Sequence, residues 1–158
     1  MIRFTILGEP ASKANSRKIV LIGGKPSSIK SEKALAYERD ALRQIPPAAR
    51  QQLQGEVSVT MRIFYASERP DLDESLILDV LQDRYKTTKV GETKRRDLVQ
   101  RGVYSNDRQV REKHIYHAID RRNPRTEIEV HPVQGDLLGA PAAAAPTAFT
   151  PIPEELPF

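Results

Sequence analysis

Along residues 57–65 the chain places Val57, Val59, Met61, Ile63 and Tyr65 at every second position, with Ser58, Thr60 and Arg62 between them. A period of two predicts a β-strand with one buried face. Residues 2–7 alternate in the same way and predict a strand at the N-terminus. Residues 8–17 are rich in turn formers and small side chains and read as a loop. Lys18 to Ile22 predicts a second strand, ended by Gly23-Gly24. The period then lengthens. Ser31 is a helix N-cap, the helix runs to about Gln44, and Pro46-Pro47 stops it. After Pro70, the apolar positions Leu76, Ile77, Val80 and Leu81 recur at helical spacing and predict a second helix over about 73–83. Residues 84–101 read as a polar stretch, 110–119 as a strand or extended segment, and Thr126 to His131 as a final strand. There are no internal repeats. The pattern predicts an α+β fold, with a mixed sheet of about four or five strands and two main helices.

At Gly135 the composition changes to small residues, Gly-Asp-Leu-Leu-Gly-Ala-Pro-Ala-Ala-Ala-Ala-Pro, with too little apolar bulk to pack alone. This predicts one folded domain over 1–134 and a flexible Pro/Ala-rich tail over 135–158. The chain is 39% hydrophobic and 29% charged, ordinary for a globular protein. No apolar run reaches the roughly 18 to 20 residues that cross a membrane, and the strand-like N-terminus is too short for a secretory signal. With no cysteine there is no disulfide and no thiolate metal site, which fits the cytoplasm. Charge is more informative. All 25 Lys and Arg, but only 18 of the 21 acids, lie within residues 1–134, so the domain carries +7 against +4 for the whole chain. That balance favours a polyanionic partner through counterion release.

Asp71-Leu72-Asp73 follows Pro70, which keeps Arg69 extended. If the extension continues, both carboxylates point to one side and can face one cation. Magnesium prefers oxygen ligands and takes one or two protein carboxylates, completing its shell with water and phosphate. The alternative is that Asp73 caps the helix while Asp71 is solvated. A third carboxylate, Asp107, follows Gly102-Val103-Tyr104 and precedes Arg108-Gln109-Val110, a segment able to return it toward the first pair. Glu74 is either a first-turn acid favoured by the helix dipole or a fourth ligand. Asp79 and Asp83 sit opposite the apolar stripe and read as a solvated helix face. Arg84, Lys86, Lys89, Lys94, Arg95, Arg96 and Arg101 form a basic stretch able to track a phosphate backbone, and Arg108, Arg111 and Lys113 could continue it. Such contacts position DNA without reading its sequence. His114 and His117, three apart in an extended segment, fall on opposite faces, so a zinc site is not expected.

The ordered set Arg69-Pro70-Asp71-Leu72-Asp73, Leu78-Asp79-Val80-Leu81 and Gly102 to Val110 resembles the paired signature of the RusA family of Holliday junction resolvases. Phe4 to Pro10, followed by Lys13 and Arg17, resembles the N-terminus of phage-type members, and the match spans about residues 2–132. The resemblance implies a homodimeric, magnesium-dependent endodeoxyribonuclease that cuts four-way DNA junctions. It assigns Asp71, Asp73 and Asp107 as metal-binding catalytic residues. Three positions depart from the family: Glu74 stands where asparagine is usual, Ile77 where a lysine is frequent, and Asn106 where an acid often precedes the last aspartate. Lys13, Lys86 and Lys89 are candidates to replace that lysine. A different nuclease acting on flaps or duplex, or a non-catalytic DNA-binding scaffold, would account for part of the same pattern.

The last five residues, Glu154-Glu155-Leu156-Pro157-Phe158, resemble the acidic tip of bacterial single-stranded-DNA-binding proteins, which docks into pockets on replication and repair proteins. Phe158 offers an apolar anchor and its α-carboxylate suits a basic pocket, with Glu154 and Glu155 adding steering. Deleting Phe158 should abolish binding to a tip-recognising protein and leave junction affinity unchanged. Tighter junction binding would instead mark a tail that competes with DNA, and no change in either measurement would mark an inert end.

Overall fold

The computed structural model describes residues 1–12 and 15–133; Lys13 and the tail, with Glu154, Glu155, Leu156, Pro157 and Phe158, lie outside the described residues. Four strands build the central sheet: β1 (Ile2–Leu7), β4 (Val57–Tyr65), β7 (Val110–Ile119) and β8 (Arg125–Pro132), in the order β1-β8-β4-β7. β8 runs antiparallel to β1 and β4, whereas β7 runs parallel to β4, so the sheet is mixed. With its two helices this is the expected α+β architecture. The alternating residues perform as their period requires: Val59, Met61 and Ile63 are fully buried, and Arg62 between them is exposed.

Helix α1 (Glu32–Gln44) begins where the sequence places it, with the Ser31 hydroxyl accepting from the Ala34 amide at 3.2 Å. Its buried side, Ala34, Tyr37 and Ala41, joins β1 and the second helix in one core. At its last turn Gln44 accepts from the Leu7 amide at 2.7 Å and donates to the Leu7 carbonyl at 3.0 Å, which satisfies the end of β1. Helix α2 (Ser75–Leu81) is shorter than expected, but its stripe of Leu76, Ile77, Val80 and Leu81 is buried as the spacing requires. Among the described residues no helix is long and apolar enough to cross a membrane.

Two hairpins project from this body. β2 (Arg17–Ile22) pairs with β3 (Lys25–Lys30), and β5 (Arg84–Val90) pairs with β6 (Thr93–Gln100). Gly23 and Gly24 take φ of 58° and 77°, the positive pair that a two-residue hairpin turn needs. Residues 84–101 are therefore mainly an ordered two-stranded arm rather than the polar loop expected from sequence.

The second arm is held at its base by backbone on both sides. The Val103 amide donates to the Leu81 carbonyl at 2.7 Å, and the Asp83 amide to the Tyr104 carbonyl at 3.2 Å. Residues 102–104 also bond residues 52–53, with the Leu53 amide donating to the Val103 carbonyl at 2.8 Å. Gly102 permits the approach: a Cβ there would stand 2.4 Å from the Leu81 carbonyl oxygen and 2.7 Å from the Asp83 nitrogen. Gly102→Ala should cost roughly 1–3 kcal/mol or more, because backbone must move to admit the methyl. Gly91→Ala, at φ 63° with open space around it, should cost about 1 kcal/mol from the left-handed backbone alone. Urea unfolding of the two variants checks the difference.

Candidate functional site

Tyr65 ends β4 almost fully buried, and its hydroxyl organises the loop that follows. It donates to the Asp71 carbonyl at 3.1 Å and accepts from the Asp73 amide at 3.2 Å. Burial raises the phenol above its ordinary range, and the nearby carboxylates of Asp73, Glu9 and Glu74 push the same way. The hydroxyl thus stays protonated and pins the loop. Asp73 uses one oxygen, Oδ1, to accept from the Ser75 amide at 3.0 Å and the Ser75 hydroxyl at 2.6 Å. Asp73 thus bonds the first residue of α2, while Glu74 occupies the N-cap position. The Asp73 side chain also lines a cleft of about 190 Å3 together with Arg17, Lys30, Ser75 and Asp79.

Asp79 is the carboxylate that sequence reading missed. It stands half-buried in that cleft, not on a solvated helix face. Burial raises its carboxyl above the usual range; Lys30 and Arg17 work against the rise, while Asp107 and Glu38 add to it. The charge of Asp107 is thus felt at Asp79, the acid that the sequence reading places on a solvated face, whereas the expected return was toward the Asp71–Asp73 pair. The position of Asp107 is set by its neighbours. The Asp107 amide reaches Gln82 Oε1 at 3.4 Å, Asn106 caps the following turn, and Gln109 ties residues 105–106 to the carbonyls of Leu53 and Gly55. Asp79 stands four residues after Ser75, the residue that Asp73 bonds, and that same-face spacing was a signal that could have found it.

Asp71 is exposed and does not line the cleft. Glu74 pairs with Lys113 at 2.8 Å, and Ile77 is fully buried in the core. Asp83 is buried rather than solvated: it accepts from the Gly102 amide at 2.7 Å and from Gln52 at 2.6 Å. Its role is to clamp the arm, its oxygens satisfied by donors from residues on both sides. Arg17 and Lys30 bring positive charge to the cleft. Lys86, Lys89, Lys94, Arg95 and Arg96 stand on the β5–β6 arm, Arg108 is exposed beside Asp107, and Arg111 pairs with Glu56 at 3.3 Å. His114 and His117 align with Thr60 and Ile63 of β4, on opposite faces of the sheet, and His117 stacks on Tyr65.

Among the described residues no three Asp, Glu, His or Cys side chains close on one ion position. What the cleft offers is a carboxylate pair, Asp73 and Asp79, with Asp107 adjacent. That donor set fits magnesium, which takes one or two carboxylates and fills its shell with water and phosphate oxygens. A cation there would also offset the burial and repulsion that raise Asp79. No protein-family model matches the sequence, and no curated protein matches it.

The raised Asp79 carboxyl gives a pH prediction. The native state favours its neutral form, so its contribution to stability is complete below the unfolded value and is lost as pH rises through the higher folded value. At neutral pH the ionised group is a cost that asparagine does not carry. Asp79→Asn should raise the melting temperature at pH 7 and leave it little changed near pH 3, measured by thermal unfolding in metal-free buffer.

Proposed function

We propose that this protein is a magnesium-dependent, structure-specific endodeoxyribonuclease of the RusA type, which resolves four-way DNA junctions by paired nicks. One observation carries the reading. Two acids, Asp73 and Asp79, line one cleft together with Arg17 and Lys30, and the charge of Asp107 is felt at Asp79. This is the chemistry a phosphodiester needs: oxygen donors for a hard cation and fixed positive charge for the phosphate.

Bound magnesium supplies activation of water and neutralisation of charge on the scissile phosphate. The protein's own residues do the rest. Asp73 and Asp79 would hold the cation from the cleft wall, with Asp107 as a nearby carboxylate. Arg17 and Lys30 would orient the phosphate and offset its charge, in place of the lysine that Ile77 replaces. Tyr65 keeps the Asp71–Asp73 backbone in register. A homodimer suits the substrate, since a four-way junction has two-fold symmetry and a symmetric pair can address two opposed strands.

The test incubates the protein with labelled four-way junction, flap and linear duplex, in magnesium or EDTA. Cleavage of the junction in magnesium alone supports resolution, and cleavage of flap or duplex in preference points to another structure-specific nuclease. Asp73→Asn, Asp79→Asn and Asp107→Asn should each reduce cleavage about 100- to 1,000-fold, the loss expected when several kcal/mol of transition-state stabilisation go. Junction binding should persist, because each change removes negative charge that repels DNA. Near-normal rates in all three variants would overturn the assignment.

A further inference from the structure

The β5–β6 arm has two unlike faces. Side chains alternate across a strand, and the register pairs Tyr85 with Leu98, Thr87 with Arg96 and Lys89 with Lys94 on one side. Lys86 with Asp97, Thr88 with Arg95 and Val90 with Thr93 occupy the other. The first face thus carries Lys89, Lys94 and Arg96 and no acid. On the second, Arg95 is spent on Asp97 at 2.7 Å.

Two lysines directly opposite each other on paired strands repel, and neither Lys89 nor Lys94 has an acidic partner among the described residues. Arg96 is held in place, its guanidinium 4.0 Å over the Tyr85 ring. The same Tyr85 lines a cleft with Lys30 and Asp79. The lysine-rich face therefore begins, at Tyr85, beside the acidic site. The base of the arm adds rigidity: Asp83 and Gly102, bonded to each other, lie between Asp79 and Asp107 in the chain. An arm of seven residues extends roughly 20 Å from that base, enough to follow about six base pairs of duplex.

We propose that the face bearing Lys89, Lys94 and Arg96 is a docking surface for the phosphate backbone of duplex DNA flanking the cleft, and that the face bearing Lys86 and Arg95 stays in solvent. The inference rests on the reading of the protein as DNA-binding, but not on its cutting DNA. Repulsion between unpaired cations is relieved when phosphates take up the position, and the release of counterions drives association.

The test measures binding of labelled junction and linear duplex in EDTA over a range of salt, so that cleavage plays no part. The triple variant K89Q/K94Q/R96Q should weaken binding at least tenfold at moderate salt and reduce the slope of log affinity against log salt by about two to three. The opposite-face variant K86Q/R95Q should stay within about threefold of the parent protein, less than the loss expected from two phosphate contacts. Because Arg96 packs on Tyr85, K89E/K94E, which leaves that contact intact, is measured alongside and should weaken binding further than the neutral triple. Equal losses from the two faces, or an unchanged slope in both K89Q/K94Q/R96Q and K89E/K94E, would overturn the proposal. Loss of cleavage in the aspartate variants with this face dependence intact would leave it standing, and an uncleaved junction would bear only on the nuclease reading.

Discussion

A buried carboxylate at the end of α2 holds together the parts of this protein that matter for its proposed chemistry. Asp83 accepts from the Gly102 amide and from Gln52, and that bond closes the base of a hairpin nearly twenty residues long. Asp79 lies one helical turn before Asp83, and Asp107 lies five residues after Gly102. The clamp joins the two acids' segments alongside the backbone bonds at the base of the arm. A two-stranded hairpin is marginal in water on its own. Its orientation here comes from the backbone bonds between residues 81–83 and 102–104.

A second buried acid ties both arms to the helical layer. Glu38 on α1 accepts from Lys30, the last residue of β3, at 2.6 Å, and from Arg84, the first residue of β5. Burial pulls its carboxyl up, but the two cations outweigh that effect and hold it below the usual range. Removing one partner of such a group costs more than the intact set contributes, because the remaining charge is left without solvent. Lys30 thus serves twice: it neutralises Glu38 and it lines the cleft beside Asp79. The positive charge at the cleft is held in place by the same pairing that anchors the arms.

Much of the fold was legible from residue order because burial on one face leaves a period in the sequence. The strands at 2–7 and 57–65, the Ser31 cap and the stripe of α2 all carry that signature. β3 does not: Lys25-Pro-Ser-Ser-Ile-Lys30 has Pro26 and two serines in a strand exposed on both faces, so no period marks it. The β5–β6 arm was hidden for the same reason. Its threonines, valines and Tyr85 have strand propensity, but neither face meets the core, and the seven basic residues read as loop.

By itself the sequence determined the α+β class, the core faces and the basic balance of the domain. Those follow from local period, composition and spacing, which need no knowledge of what packs on what. Tertiary structure alone decided which acids share a cleft. Asp79 lies inside it and Asp71 outside, since Tyr65 pins the loop and the last turn of α2 packs against residues 102–104. Asp83 reads as surface charge in the sequence and is a buried clamp in the fold, because its donors, Gly102 and Gln52, come from positions 19 and 31 residues away. A polar side chain opposite an apolar stripe meets solvent only if no other segment covers it. That depends on contacts between distant residues, which local periodicity does not encode.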